Sequence, residues 1–209
     1  MLQTKFYKGN RWYFPLDLKW QDVEEIAKKK SELMNIYVKH PRRFERHNVV
    51  YMDYSELLVE DAMKQAGYTV VAKDAYYFHG IAYRQNSAPG RPKDLDFIGR
   101  MSNKDIYVGV QIKNRLEYPK HADISELLDI CNVLHLRPVL VARRVHPMSY
   151  RSIRNANGDI IECKRYFLQP PFPREEFKRI VGMGIPLGVY KWTPTFLVES
   201  FVGLSKKFK

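Results

Sequence analysis

A small group of side chains in this sequence has the types and spacing to act on a phosphodiester bond. In KDLDFIG (93–99), Asp94 and Asp96 alternate with Leu95 and Phe97, so in a strand the two carboxylates share one face. In YVGVQIKNR (107–115), the same alternation sets Gln111 and Lys113 opposite Val110 and Ile112. Asp96 and Gln111 are 15 residues apart, a length that suits two short strands and a turn; pairing as a hairpin would bring acid, amide and amine together. Glu56 and Glu60 are four apart on a preceding helical segment and occupy one stripe, so either can supply a third acid. Carboxylate and carbonyl oxygens hold a hard cation such as Mg²⁺, and a lysine stabilises charge or helps form hydroxide. Each residue alone has a plainer reading: an exposed ion pair for Asp96 and Lys113, a solvated helix residue for Glu56, a surface acid for Asp94. Their joint spacing favours the site.

The elements that must position these groups are legible in outline. Residues 18–38 place Trp20, Val23, Ile26, Leu33 and Ile36 near helical spacing, and Pro41 stops that helix within the basic run KHPRRFERH (39–47). A second helix is expected from Tyr54 to Ala66, with Gly67 as a left-handed cap. One or two strands follow in TVVAKDAYYFHGIAYR (69–84), then the loop QNSAPGRP (85–92), then the two strands that carry Asp96 and Lys113. The spacing of Ile124, Leu127, Leu128, Cys131 and Leu134 predicts a helix over 122–136, and PVLVAR reads as a buried strand. The tail is expected to hold a hairpin around NANGD (155–159), a helix near 174–181 and a strand near 187–192.

DLDFIG followed by VGVQIKNR resembles the acid strand and the acid-x-Lys strand of the PD-(D/E)XK nucleases, the group that includes archaeal Holliday-junction resolvases and restriction endonucleases. Glu56, eleven residues before Gly67-Tyr68, is similar in placing to that family's helix acid. The resemblance covers roughly residues 52–143 and implies an α/β fold. Its core would be restriction-endonuclease-like, αβββαβ, with a mixed central sheet flanked by helices. On this reading 1–50 form an N-terminal helical extension, 51–146 the nuclease core and 147–209 a C-terminal elaboration packed on it. The resemblance implies Mg²⁺ or Mn²⁺ held by Asp96, Gln111, the Ile112 carbonyl and Glu56, with Lys113 at the attacking water or the phosphate. Gln111 departs from the pattern, because an amide oxygen ligates without charge and so implies weaker ion binding. Junction resolvases work as pairs, which implies a homodimer. The basic charge and added termini are also similar to those of nucleases from archaeal viruses.

Composition narrows the partners. Lys and Arg number 35 against 23 Asp and Glu, a formal charge of +12 that attracts polyanions. DNA is the expected partner, with Arg84, Arg91, Lys93, Arg100 and Arg115 as expected phosphate contacts. Tyr76, Tyr77 and Tyr83 read as core or half-buried rather than as base-stacking platforms. Only Cys131 and Cys163 are present, too few for a disulfide framework, and no apolar run is long enough to span a membrane or serve as a leader. A soluble protein of the cytoplasm, of its own cell or of an infected host, is therefore expected, with no membrane partner and no small-molecule cofactor. Cys131 and His135, four apart, lack the second pair that a zinc site needs. Two competing readings are a nuclease-fold DNA-binding protein weakened in catalysis by Gln111, and a dimerisation module built on the N-terminal helix.

Overall fold

The computed structural model describes residues 2–7, 10–39, 44–46, 49–51, 53–83, 93–102, 104–115, 118–170, 173–182, 184 and 187–208. The chain opens with strands β1 (Leu2–Tyr7) and β2 (Asn10–Pro15), helix α1 (Trp20–Lys39) and the short strands β3 (Phe44–Arg46) and β4 (Val49–Tyr51). Helix α2 (Tyr54–Gln65) leads into β5 (Tyr68–Ala75), the small strands β6 (Tyr77–Phe78) and β7 (Ile81–Ala82), then β8 (Leu95–Met101) and β9 (Tyr107–Lys113). After these come α3 (His121–Val133), β10 (Arg137–Ala142), α4 (Pro147–Asn155) and β11 (Asp159–Glu162). The chain ends with β12 (Tyr166–Leu168), α5 (Arg174–Gly182), β13 (Leu187–Val189) and α6 (Thr195–Lys207).

Two compact units form. Residues 1–41 associate with 172–187, and residues 42–171 with 188–209. In the first unit β1 and β2 pair antiparallel from Leu2↔Pro15 to Tyr7↔Asn10, and the Tyr7 ring lies 5.4 Å from that of Trp20 on α1. Ala27 of α1 and Ile180 of α5 are buried.

The second unit is built on a five-stranded sheet in the order β11-β10-β9-β8-β5. β8 runs antiparallel to both β5 and β9, whereas β9, β10 and β11 run parallel, so the sheet is mixed. Its strands are apolar on both faces because helices cover both. On one face Phe97, Val110, Ile112 and Val141 pack against Leu58, Val59 and Ala62 of α2 and Leu197, Phe201 and Leu204 of α6. On the other, Ile98 and Leu140 meet Ile124, Leu127 and Ile130 of α3 and Ile153 of α4. The class is therefore α/β with a mixed central sheet flanked by helices. Glycine ends α2 as expected: Gly67 adopts φ 84, where a side chain would be strained.

The expected hairpin around 155–159 is not present. Residues 147–155 form α4, whose start is fixed by Pro147 at the first turn and by His146, whose ring nitrogen accepts a hydrogen bond from Met148 N at 3.3 Å. The reason lies in topology: β11 pairs parallel with β10, and a parallel neighbour is reached only through a crossover, which α4 provides. The crossover ends at Asn157, φ 56, and Gly158. A Cβ on Gly158 would lie 2.4 Å from the Pro138 carbonyl oxygen and 2.9 Å from Ile153 Cγ2. Gly158→Ala is therefore expected to destabilise the protein by about 2 kcal/mol, read as a lower urea midpoint with an unchanged slope.

Candidate functional site

Asp96 and Gln111 face each other across the β8–β9 hairpin, one step beyond the paired residues Phe97↔Val110. Because Val110 and Ile112 point to the α2 face, alternation turns Gln111 and Lys113 to the α3 face. Gln111 Nε2 donates to Asp96 Oδ2 at 2.7 Å, and the Ile112 backbone N–H donates to the same oxygen. Gln111 is itself buried. Burial pushes the Asp96 carboxyl up to about 7, against the pull of the Ile112 N–H, Lys113 and Gln111, and the charge of Asp94 pushes in the same direction as burial. A carboxylate short of compensating positive charge is thus held beside a lysine.

Lys113 is tied to a residue that sequence reasoning did not single out. Its Nζ lies 3.8 Å from Asp123 Oδ1, while Asp123 Oδ2 accepts from Arg115 and, at 2.6 Å, from the Lys120 backbone N–H. Asp123 sits in the first turn of α3, where an acid three residues past the cap is a helix-start signal; its pairing with β9 depends on how α3 docks. Arg115 Nε is buried and has no hydrogen-bond partner among the described residues.

The helix acids take different places. Glu56 lies half-buried in the first turn of α2, the helix that covers the opposite face from Gln111 and Lys113. Glu60 is buried and ion-paired with Lys64 at 2.6 Å and with Lys73, so its charge is committed to holding α2 against β5. Among the described residues no three His, Cys, Asp or Glu side chains converge as a metal cluster. The structure therefore brings Asp96, Gln111 and Lys113 together with Asp123, and gives Glu56 a place on a separate element.

The expected phosphate contacts divide as well. Arg84 and Arg91, with the loop 85–92, lie outside the described residues, as do the side chains of the basic run 39–47. Lys93 pairs with Glu126 at 3.4 Å. Arg100, loosely paired with Asp105 at 4.0 Å, stands at the far end of the hairpin, opposite Tyr107, while Asp96 lies near the Lys113 end. Tyr76 and Tyr77 are exposed, contrary to the expectation of burial: β6 and β7 form a two-stranded ribbon outside the main sheet. Cys131 is buried against Gly109, its thiol pushed up by burial, and His135 is exposed on a left-handed turn. Cys131 is part of the packing beneath α3, and His135 stands outside it.

Asn114, the residue after Lys113, was also missed. Its Nδ2 donates to Asp53 Oδ1 at 2.7 Å and to the Phe167 carbonyl at 2.9 Å, and its Oδ1 accepts from Phe167 N at 2.8 Å. Asp53 in turn caps α2 through Ser55 N at 2.9 Å. One amide thus joins the end of β9, the start of α2 and β12. Asn114→Ala leaves these groups unmatched, and a loss of about 2 kcal/mol is expected in chemical unfolding.

The site defines an α/β protein with an acid–amide–lysine set on a mixed sheet. No protein-family model, curated protein or solved structure matches the chain. No described helix is long and apolar enough to cross a membrane.

Proposed function

We propose that this chain is a metal-dependent DNA endonuclease of the PD-(D/E)XK type, with a restriction-endonuclease-like core. The observation that carries the reading is the placement of Asp96, Gln111 and Lys113 on adjoining strands, with the Asp96 carboxyl enclosed and pushed up to about 7. Such a carboxylate is the kind of group a cation stabilises. The donor set is all oxygen, which suits Mg²⁺ or Mn²⁺, and Mg²⁺ commonly takes one or two carboxylates and completes its shell with water and phosphate. Asp96, the Gln111 side-chain oxygen and the Ile112 carbonyl would hold it, while Glu56, on the helix that covers the opposite face, stands apart from this donor set. When bound, the ion polarises the phosphate and lowers the pKa of an attacking water.

Lys113 supplies positive charge on the same face, where it stabilises the phosphate's developing charge. Gln111 meets Asp96 through its Nε2, so a cation shared by the two residues needs the amide turned to present its oxygen instead. The buried amide brings no charge, so ion affinity is weaker than with a glutamate.

The test is incubation of the purified protein with labelled duplex, single-stranded and four-way-junction DNA in Mg²⁺, Mn²⁺ or EDTA. Cleavage that needs the metal is expected, and the substrate cut identifies the preferred structure. DNA binding with no cleavage under any metal would replace this reading with that of a nuclease-fold DNA-binding protein, which the Gln111–Asp96 hydrogen bond would then explain.

A further inference from the structure

Strands β9, β10 and β11 are parallel, so their carboxyl ends lie along one edge of the sheet. The register aligns Lys113 with Ala142, and Ala142 with Glu162, across that edge. The chain continues past these positions into Arg115 after β9, Arg143 and Arg144 after β10, and Lys164 and Arg165 after β11. The segments that follow β10 and β11 remain bonded beyond the strands, since Cys163 N donates to the Ala142 carbonyl at 2.8 Å and Lys164 N to the Arg143 carbonyl at 2.9 Å. Lys113, Arg143 and Arg165 line one shallow hollow together with Ser55, two residues past the α2 cap. Six cations therefore gather along an edge about 10 Å wide.

We infer that this edge is the surface that receives the DNA backbone, with Arg144, Lys164 and Arg165 as phosphate contacts; the inference rests on the nuclease reading for the identity of the polyanion. Arg144, Lys164 and Arg165 are exposed, and none forms an ion pair with an acid among the described residues. Three acids of the same unit are engaged in other contacts. Glu162 Oε1 accepts from Val145 N at 2.8 Å, Asp53 caps α2, and Asp123 pairs with Lys113 and Arg115. Exposed cations not tied up in ion pairs attract a polyanion, and ligands of open α/β sheets settle beyond the carboxyl ends of the strands. The edge adjoins Lys113, so a strand lying on it passes the Asp96–Gln111 pair. Arg100, at the opposite edge, does not belong to this surface.

The experiment is fluorescence anisotropy of a labelled DNA duplex with the full chain in EDTA, titrated between about 50 and 200 mM salt. It compares the native protein, the triple variant Arg144→Ala, Lys164→Asn, Arg165→Ala, and Arg100→Ala. Asparagine is chosen at 164 because that residue has φ 57, which asparagine tolerates. The triple variant is expected to bind on the order of 10-fold or more weakly at the upper salt limit, with the log–log salt slope reduced by about 2 to 3. Arg100→Ala is expected to match the native protein, and unchanged metal-free melting of the triple variant confirms that the fold is intact. A triple variant with the native slope and affinity overturns the inference, as does a native protein that binds no duplex at low salt. Because EDTA suppresses metal-dependent chemistry, the edge stands if binding falls as expected while the native protein cleaves nothing in Mg²⁺; that second result defeats the nuclease reading alone.

Discussion

Asp96→Ala is expected to reduce metal-dependent cleavage by at least about 1000-fold, and Lys113→Ala by on the order of 100- to 1000-fold, with metal-free DNA binding retained in both. The asymmetry follows from the geometry. Asp96 is the charged oxygen donor around which Gln111 and the Ile112 N–H are arranged, so no neighbour replaces it. Lys113 has a cationic neighbour, Arg115, that shares the Asp123 carboxylate and supplies part of the same field. Single-turnover cleavage with saturating protein separates this loss from weakened binding. Native-like cleavage in Asp96→Ala would defeat the assignment of the site outright. Loss in Asp96→Ala with full activity in Lys113→Ala would keep the metal site and remove the lysine from the chemistry.

What was legible in the sequence was whatever a short window encodes. Alternation along KDLDFIG and YVGVQIKNR located β8, β9 and the convergence of Asp96 with Gln111, because a two-strand hairpin is a local structure. Gly67 marked the end of α2 for a similarly local reason. Pairings between distant segments were not legible. Asp123 reaches Lys113 only because α3 packs on the face to which alternation turns that lysine, and Asn114 reaches Asp53 and Phe167 across 61 and 53 residues. The hairpin expected at NANGD failed for the same reason: turn-forming residues signal a reversal of the chain but not whether a strand or a helix precedes it. Helix α6 was readable in principle, since Leu197, Phe201 and Leu204 keep helical spacing after Pro194. The glutamates show the limit most clearly, because the i, i+4 rule set Glu56 and Glu60 on one stripe, and the docking of β5, which adds Lys73 to the in-helix partner Lys64, is what commits Glu60 to the contact between α2 and the sheet.

Asp96→Asn is expected to make the metal-free protein more stable than the native one at neutral and alkaline pH, by up to about 4 kcal/mol. The native carboxyl is pushed up from 3.8 to about 7, first by burial and also by the charge of Asp94. The folded protein therefore holds a proton on Asp96 that the unfolded chain releases between about pH 4 and pH 7. Stability attached to that proton is complete below about pH 4 and is lost as the pH rises through 7, after which the loss is constant. An amide does not titrate, and it keeps the hydrogen-bonding oxygen, so the variant escapes this loss. The difference between the two proteins in urea unfolding with EDTA should be small near pH 4, grow to pH 7 and then level off. Adding Mg²⁺ at pH about 8 should restore the native protein, since a bound cation favours the ionised carboxylate, and should leave Asp96→Asn unmoved. A difference independent of pH would mean that Asp96 ionises in the folded state as it does in water. Its enclosure by the Ile112 N–H and Gln111 would then be ordinary hydrogen bonding with no charge held in reserve for a metal.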